Sequence, residues 1–177
     1  FFLCCVVTRV PFRSKMLFHW DSVNFALGIE HFDVRLHQPH PPGYFLYVML
    51  GRLVNAIFHD PNASLVWISV VFSGLTATIL YFLGKTMFSR WVGALSALYL
   101  TSSPLFWFQG EVALSYTVEA FFTTALALMC YRLLEGKRGY LYASALTLGL
   151  AGGIRQSTLL FLLPLWLPSI RRFRLGR

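Results

Sequence analysis

Apolar residues fall along this chain in long blocks, and the short loops between them carry most of the charge. A helix needs about 20 predominantly apolar residues to cross the hydrocarbon core of a bilayer, with a usual range of about 17–25. The blocks at 64–84, 91–107 and 112–134 meet that length, the second with Pro104 inside it and the third with one acid, Glu119. Gly139 to Ile170 is longer and is interrupted by Gly152-Gly153-Ile154-Arg155-Gln156. It predicts two shorter tilted helices, 139–154 and 157–170, meeting in a tight turn. No stretch alternates apolar and polar residues, so strands are not indicated. The pattern predicts an all-α, polytopic helical membrane protein with a five-helix bundle over residues 64–170.

Two further stretches flank that bundle. Phe1 to Val10 is apolar but too short to span, so residues 1–12 read as the remnant of a first membrane helix or of a signal anchor. Gly43 to Phe58 is also short of a span and holds Arg52 near its middle. Arg52, Asn55 and His59 recur at helical spacing and form one polar stripe, which predicts an interfacial helix lying on the outer surface over about residues 43–58. Residues 13–63 then make an outer-face loop that carries this helix, and 171–177 a basic cytoplasmic end. The chain reads as a piece of a longer protein.

Composition narrows the class. Of 177 residues, 56% are hydrophobic, 17% aromatic and only 12% charged, and the mean hydropathy is +0.61. A soluble domain carries about 25% charged residues, so a soluble enzyme, a disordered chain and a disulfide scaffold are all poor fits. The net charge of +8 would point to nucleic acid in a soluble protein. Here the cations sit between apolar runs, so the expected partner is the bilayer and not nucleic acid. Lys85 and Arg90, then Arg132, Lys137 and Arg138, then Arg171, Arg172, Arg174 and Arg177 occupy alternate loops. Lys and Arg are retained on the cytoplasmic side, so the hairpins near Gln109–Glu111 and Arg155–Ser157 face outward. Cys4, Cys5 and Cys130 have no spacing suited to a disulfide or a metal.

The polar segment from Lys15 to Pro42 is where chemistry is expected. It holds Asp21, Glu30 and Asp33 with His19, His31, His37 and His40, and ends in His37-Gln38-Pro39-His40-Pro41-Pro42-Gly43-Tyr44. Closely spaced prolines remove backbone donors and favour extended geometry, so this elbow is either a rigid connector or the preorganised lip of an active site. His37 and His40, with Glu30 or Asp33, are a weak divalent-metal set; hydrogen-bonding loop residues are the plainer reading, and no cofactor is otherwise implied. Asp21 is suited by type to cap a helix running from Ser22 to Ile29. Glu119, at membrane depth, needs a partner or a wet cavity, and Glu111, eight residues earlier, is placed to line the same cleft. Arg155 is the lone cation of the outer hairpins; it either binds a lipid phosphate, pairs with a carboxylate such as Glu119, or snorkels to head groups. Arg52 is a second phosphate candidate. No Gly-rich phosphate loop, Ser–His–Asp pattern or CxxC is present.

These residues resemble a family. Trp20-Asp21-Ser22, His40-Pro41-Pro42-Gly43-Tyr44 leading into Leu50-Gly51-Arg52-Leu53, Phe106-Trp107 followed by Glu111 and Tyr116, and Gly152-Gly153-Ile154-Arg155 with Leu163-Pro164 resemble membrane glycosyltransferases of the GT-C class, in particular the protein O-mannosyltransferase-like group. The resemblance covers about residues 15–170 and implies the N-terminal part of such an enzyme. It implies transfer of a sugar from a polyprenyl-phosphate-linked donor to an acceptor on the outer or lumenal face of a bacterial plasma membrane or the endoplasmic reticulum. By resemblance Asp21 is the catalytic base or orients the acceptor, while Glu111, Arg155, Arg52, His40 and Tyr44 contact substrate. A transporter, with Glu119 and Arg155 on its pathway, and a non-catalytic membrane scaffold are the competing readings.

Overall fold

The structure is a computed structural model that describes the backbone of residues 1–175 and the side chains of residues 1–172. Arg177 and the side chain of Arg174, which belong to the expected basic end, lie outside the described residues. Those described residues form helices joined by turns and by two longer segments, 10–19 and 31–44, with no strand among them. In chain order the helices are α1 (Phe2–Arg9), α2 (Trp20–Glu30), α3 (Phe45–Phe58), α4 (Pro61–Met87), α5 (Arg90–Ser102), α6 (Pro104–Gln109), α7 (Tyr116–Leu134), α8 (Tyr140–Ile154) and α9 (Gln156–Leu175).

The central element is α4, which packs against α1, α3, α5 and α7. Its start is specified twice: the Asp60 carboxylate accepts the Ala63 N–H at 3.0 Å, and Pro61 occupies the first turn, where a missing donor costs nothing. Its buried positions are mostly small, including Ser64, Ser69, Ser73, Gly74, Thr76 and Ala77, and small residues let helix backbones approach closely. Two of the hydroxyls then reach across to the neighbouring chain. Ser69 Oγ donates to the Leu114 carbonyl at 3.0 Å, and Thr76 Oγ1 donates to the Thr117 carbonyl at 3.2 Å. The turn into α5 is tighter still, because a methyl group on Gly84 would lie 2.7 Å from the Cα of Gly93. Among the described residues two helices, α4 and α7, are long and apolar enough to cross a membrane.

Two helix boundaries differ from the expected segments, and each has a local cause. The 91–107 block is two helices, not one: Ser103 adopts an extended conformation (φ −62°, ψ 124°) ahead of Pro104, as a residue before proline tends to, and α6 restarts with that proline in its first turn. The 112–134 block becomes helical only at Tyr116. Val112, Ala113 and Leu114 are apolar because they are buried in the core as a turn. Glu119 is therefore in the first turn of α7 and not deep in a span, and Glu111 does not share its helix face. Between α8 and α9 the chain is extended at Arg155 alone (φ −149°, ψ 119°).

The polar stripe of α3 also faces differently from a helix lying flat on a surface. Arg52 donates through Nε to the Ile29 carbonyl at 2.9 Å and through Nη2 to the Gly28 carbonyl at 3.1 Å, closing the C-terminal end of α2. Asn55 accepts from the Ser64 hydroxyl at 3.1 Å. Arg52 and Asn55 are turned toward protein and His59 is exposed, as are the apolar Phe45, Leu53 and Ile57.

Candidate active site

Asp21 reaches its position because α2 begins at Trp20, directly after the non-helical segment 13–19. The cap of that helix is His19 and not Asp21: the His19 Nδ1 accepts the Asp21 N–H at 3.1 Å. Asp21 sits in the first turn, where a negative charge is favoured by the helix dipole. Its carboxylate lies between two imidazoles, with Oδ2 at 3.6 Å from His19 Nδ1 and Oδ1 at 3.8 Å from His40 Nδ1.

The proline elbow presents His40 and Tyr44 to the same place. A Gly43 N–H bond to the His40 carbonyl at 3.0 Å closes the turn, Gly43 has φ 106°, and Tyr44 takes the left-handed conformation (φ 44°, ψ 41°) at the entry to α3. A non-glycine residue with positive φ is uncommon, and here the neighbours enforce it. The His40 ring lies 4.9 Å from the Tyr44 ring and 5.7 Å from that of Phe25. Gln156, at the start of α9, donates to the Pro42 carbonyl at 3.2 Å and ties the elbow to the α8–α9 turn. Burial pushes the Tyr44 hydroxyl above the ordinary tyrosine range, and the nearby Arg155 offsets part of that rise.

Arg155 completes the group from the other side. Its Nη1 donates to both Glu119 oxygens, at 3.2 and 3.3 Å, and Ser115 donates to Glu119 Oε1 at 2.8 Å. The guanidinium carbon stands 5.8 Å from the ring centres of both Tyr44 and Tyr116, within cation–π range. Nε and Nη2 have no protein partner among the described residues, and the Arg155 side chain is 32% exposed. Asp21, His40, Tyr44 and Arg155 thus converge, with Tyr116 and Glu119 behind them. These groups come from α2, the elbow, α7 and the α8–α9 turn.

The remaining expected site residues lie elsewhere. Glu111 sits in the turn after α6, where its carbonyl accepts the Ser14 N–H at 2.8 Å. Burial raises its carboxyl above the usual range, against the pull of a Trp107 hydrogen bond and of Arg9. Arg52 spends Nε and Nη2 on α2, which leaves it out of the cluster. His37 is exposed in a left-handed turn, and the Asp33 carboxylate is taken by Arg35 at 2.9 Å. Among the described residues no three His, Cys, Asp or Glu side chains come together as a metal site. Sequence reasoning missed Arg9, which is fully buried, donates to the Thr101 carbonyl at 3.3 Å and stacks 5.1 Å from the Trp107 ring. Its only signal was a cation closing an apolar run just before Pro11.

Residues 31–173, most of the chain, match the family described as Protein O-mannosyl-transferase TMEM260 N-terminal domain. The chain belongs to this family. It is 29% identical over 119 residues to Protein O-mannosyl-transferase tmem260 of Dictyostelium discoideum, a match covering 63% of this chain and 14% of that protein. The chain therefore spans a small part of the length of that curated relative. No solved structure matches it. His40, Tyr44, Tyr116, Glu119 and Arg155 fall inside the stretch matched to the TMEM260 N-terminal domain, whereas Asp21 precedes it.

Proposed function

We propose that this chain forms the reaction-centre part of a multi-pass membrane glycosyltransferase of GT-C type, taking a sugar from a polyprenyl-phosphate-linked donor and passing it to an acceptor on the outer or lumenal face. The observation that carries the reading is the convergence of Asp21, His40, Tyr44 and Arg155 at one end of the helices. A carboxylate and a guanidinium linked through the His40 and Tyr44 rings are the two charges such a transfer needs. In the proposed step Asp21 takes the proton of the acceptor hydroxyl. The freed oxygen forms a bond to the anomeric carbon as the bond from that carbon to the phosphate oxygen breaks. The unshared edge of Arg155 meets the negative charge that builds on the leaving phosphate.

Membrane placement follows from charge and surface. Lys85, Arg90, Arg132, Lys137 and Arg138 lie at the opposite ends of α4, α7 and α8 from the cluster, and the positive-inside tendency supports an outer position for the cluster. Large apolar side chains such as Tyr99, Tyr142, Leu160 and Phe161 are more than half exposed around the bundle, as a lipid-facing surface requires. Kinship with a protein O-mannosyl-transferase supports transfer of a sugar. The test is Asp21→Asn in the full-length protein, with protein glycans read by mass spectrometry. Loss of transfer at normal membrane levels is the expected result. Unchanged transfer would remove Asp21 from the reaction.

A further inference from the structure

We infer that His40 is a positioning residue for Asp21, holding the carboxylate through its Nδ1 nitrogen. The inference rests on Asp21 being the reacting carboxylate, as proposed above. Three observations carry it. The Nδ1 atom of His40 is buried and has no hydrogen-bond partner. It stands 3.8 Å from Asp21 Oδ1, and that oxygen is the charged group facing it. A buried polar nitrogen without a partner is costly and persists only for a reason. The other imidazole cannot substitute, because the His19 Nδ1 already accepts the Asp21 N–H and so donates nothing to the carboxylate, and His19 is half exposed.

The surroundings hold the His40 ring in place. Phe25 and Tyr44 flank it, Pro39 seats against Gly28 so tightly that a methyl group there would lie 3.1 Å from the proline ring, and Gln156 holds the Pro42 carbonyl. An approach of less than about 1 Å brings Nδ1 within hydrogen-bond reach, and catalytic contacts commonly tighten in this way when substrate arrives. With the Nδ1–H donated to Oδ1, the carboxylate has one face fixed and presents Oδ2 to the acceptor. His40 touches Asp21 and not the reacting atoms, so its removal acts on turnover more than on donor binding.

The experiment compares His40→Asn, His40→Gln, His40→Ala and Asp21→Asn in the full-length protein in isolated membranes. Initial rates of mannose transfer from dolichyl-phosphate mannose to endogenous membrane proteins are normalised to protein level. His40→Ala is expected to lower kcat by about 10²-fold, the scale of a misplaced reacting group, with donor KM within about twofold. Asn places an N–H near the position of Nδ1, whereas Gln places one near Nε2, so Asn recovers most of the rate and Gln does not. Equal rates for Asn and Gln, or a change confined to KM, overturn the inference. The Asn and Gln pair decides the matter even if the Ala variant does not accumulate. Failure of the underlying reading is seen separately: Asp21→Asn then transfers mannose normally, whatever the His40 variants do.

Discussion

The ion pair between Glu119 and Arg155 joins the start of α7 to the α8–α9 turn, and its strength can be worked from the geometry. At the observed 3.2 Å, Coulomb's law gives about 1.3 kcal/mol at the dielectric constant of water and about 5 kcal/mol at an effective value near 20. The side chains are 17% and 32% exposed, so the environment lies between those limits. Desolvation of two charges takes back part of the attraction, leaving a coupling of about 1–3 kcal/mol. Glu119→Gln keeps an acceptor for the Ser115 hydroxyl while removing the charge, and Arg155→Gln removes the other partner. Each single change strands one partly buried charge, and the double change strands none. Thermal unfolding of the full-length protein in detergent, followed with a thiol-reactive dye, is the assay. The double variant is expected to unfold no lower than the worse single, since contacting residues are not additive. Midpoints of the two singles that sum in the double would refute the coupling and the geometry behind it.

Two further outcomes follow from groups outside that pair. Arg52→Met removes two charge-assisted bonds to the Gly28 and Ile29 carbonyls and is expected to cost about 2–3 kcal/mol after allowance for its partial exposure; Arg52→Lys, which cannot span both carbonyls, restores little, and faster hydrogen exchange over residues 27–31 reads the loss directly. Glu111 has its carboxyl raised above 4.5 by burial, so its ionisation opposes folding, and stability contributed by the protonated form is present below that ordinary value and lost as pH rises through the raised one. Glu111→Gln is therefore expected to unfold at a higher temperature than the parent protein at neutral pH, with the gap closing below pH 4.5; a constant gap across that range would contradict the assignment.

Much of the helical layout was legible because hydrophobic block length is a strong signal, and Asp60-Pro61 even marks the start of α4 in the sequence. Helix starts inside apolar blocks were not legible. Val112, Ala113 and Leu114 are apolar because they are buried, and hydropathy cannot distinguish a buried turn from a helix. Pro104 did carry the signal for the break at Ser103, but block length overrode it. The site shows the same division. Pairing with Glu119 was one of three readings of Arg155, and choosing among them needs a contact 36 residues away. Arg52 read as a phosphate ligand because its partners are backbone carbonyls, which have no residue signature. The nearness of His40 to Asp21 depends on how the elbow folds back over α2, and no spacing rule encodes that.

The two ends of α2 are gripped by different parts of the molecule, Arg52 at one and the His19 ring at the other. Eleven residues of helix make a strut about 16 Å long, stiff enough that a shift at its far end arrives at Asp21 nearly undiminished. A displacement of α3 that carries Arg52 with it therefore pulls on the end of α2 opposite Asp21. The seat of Arg52 is in this way mechanically connected to the aim of a single acidic side chain.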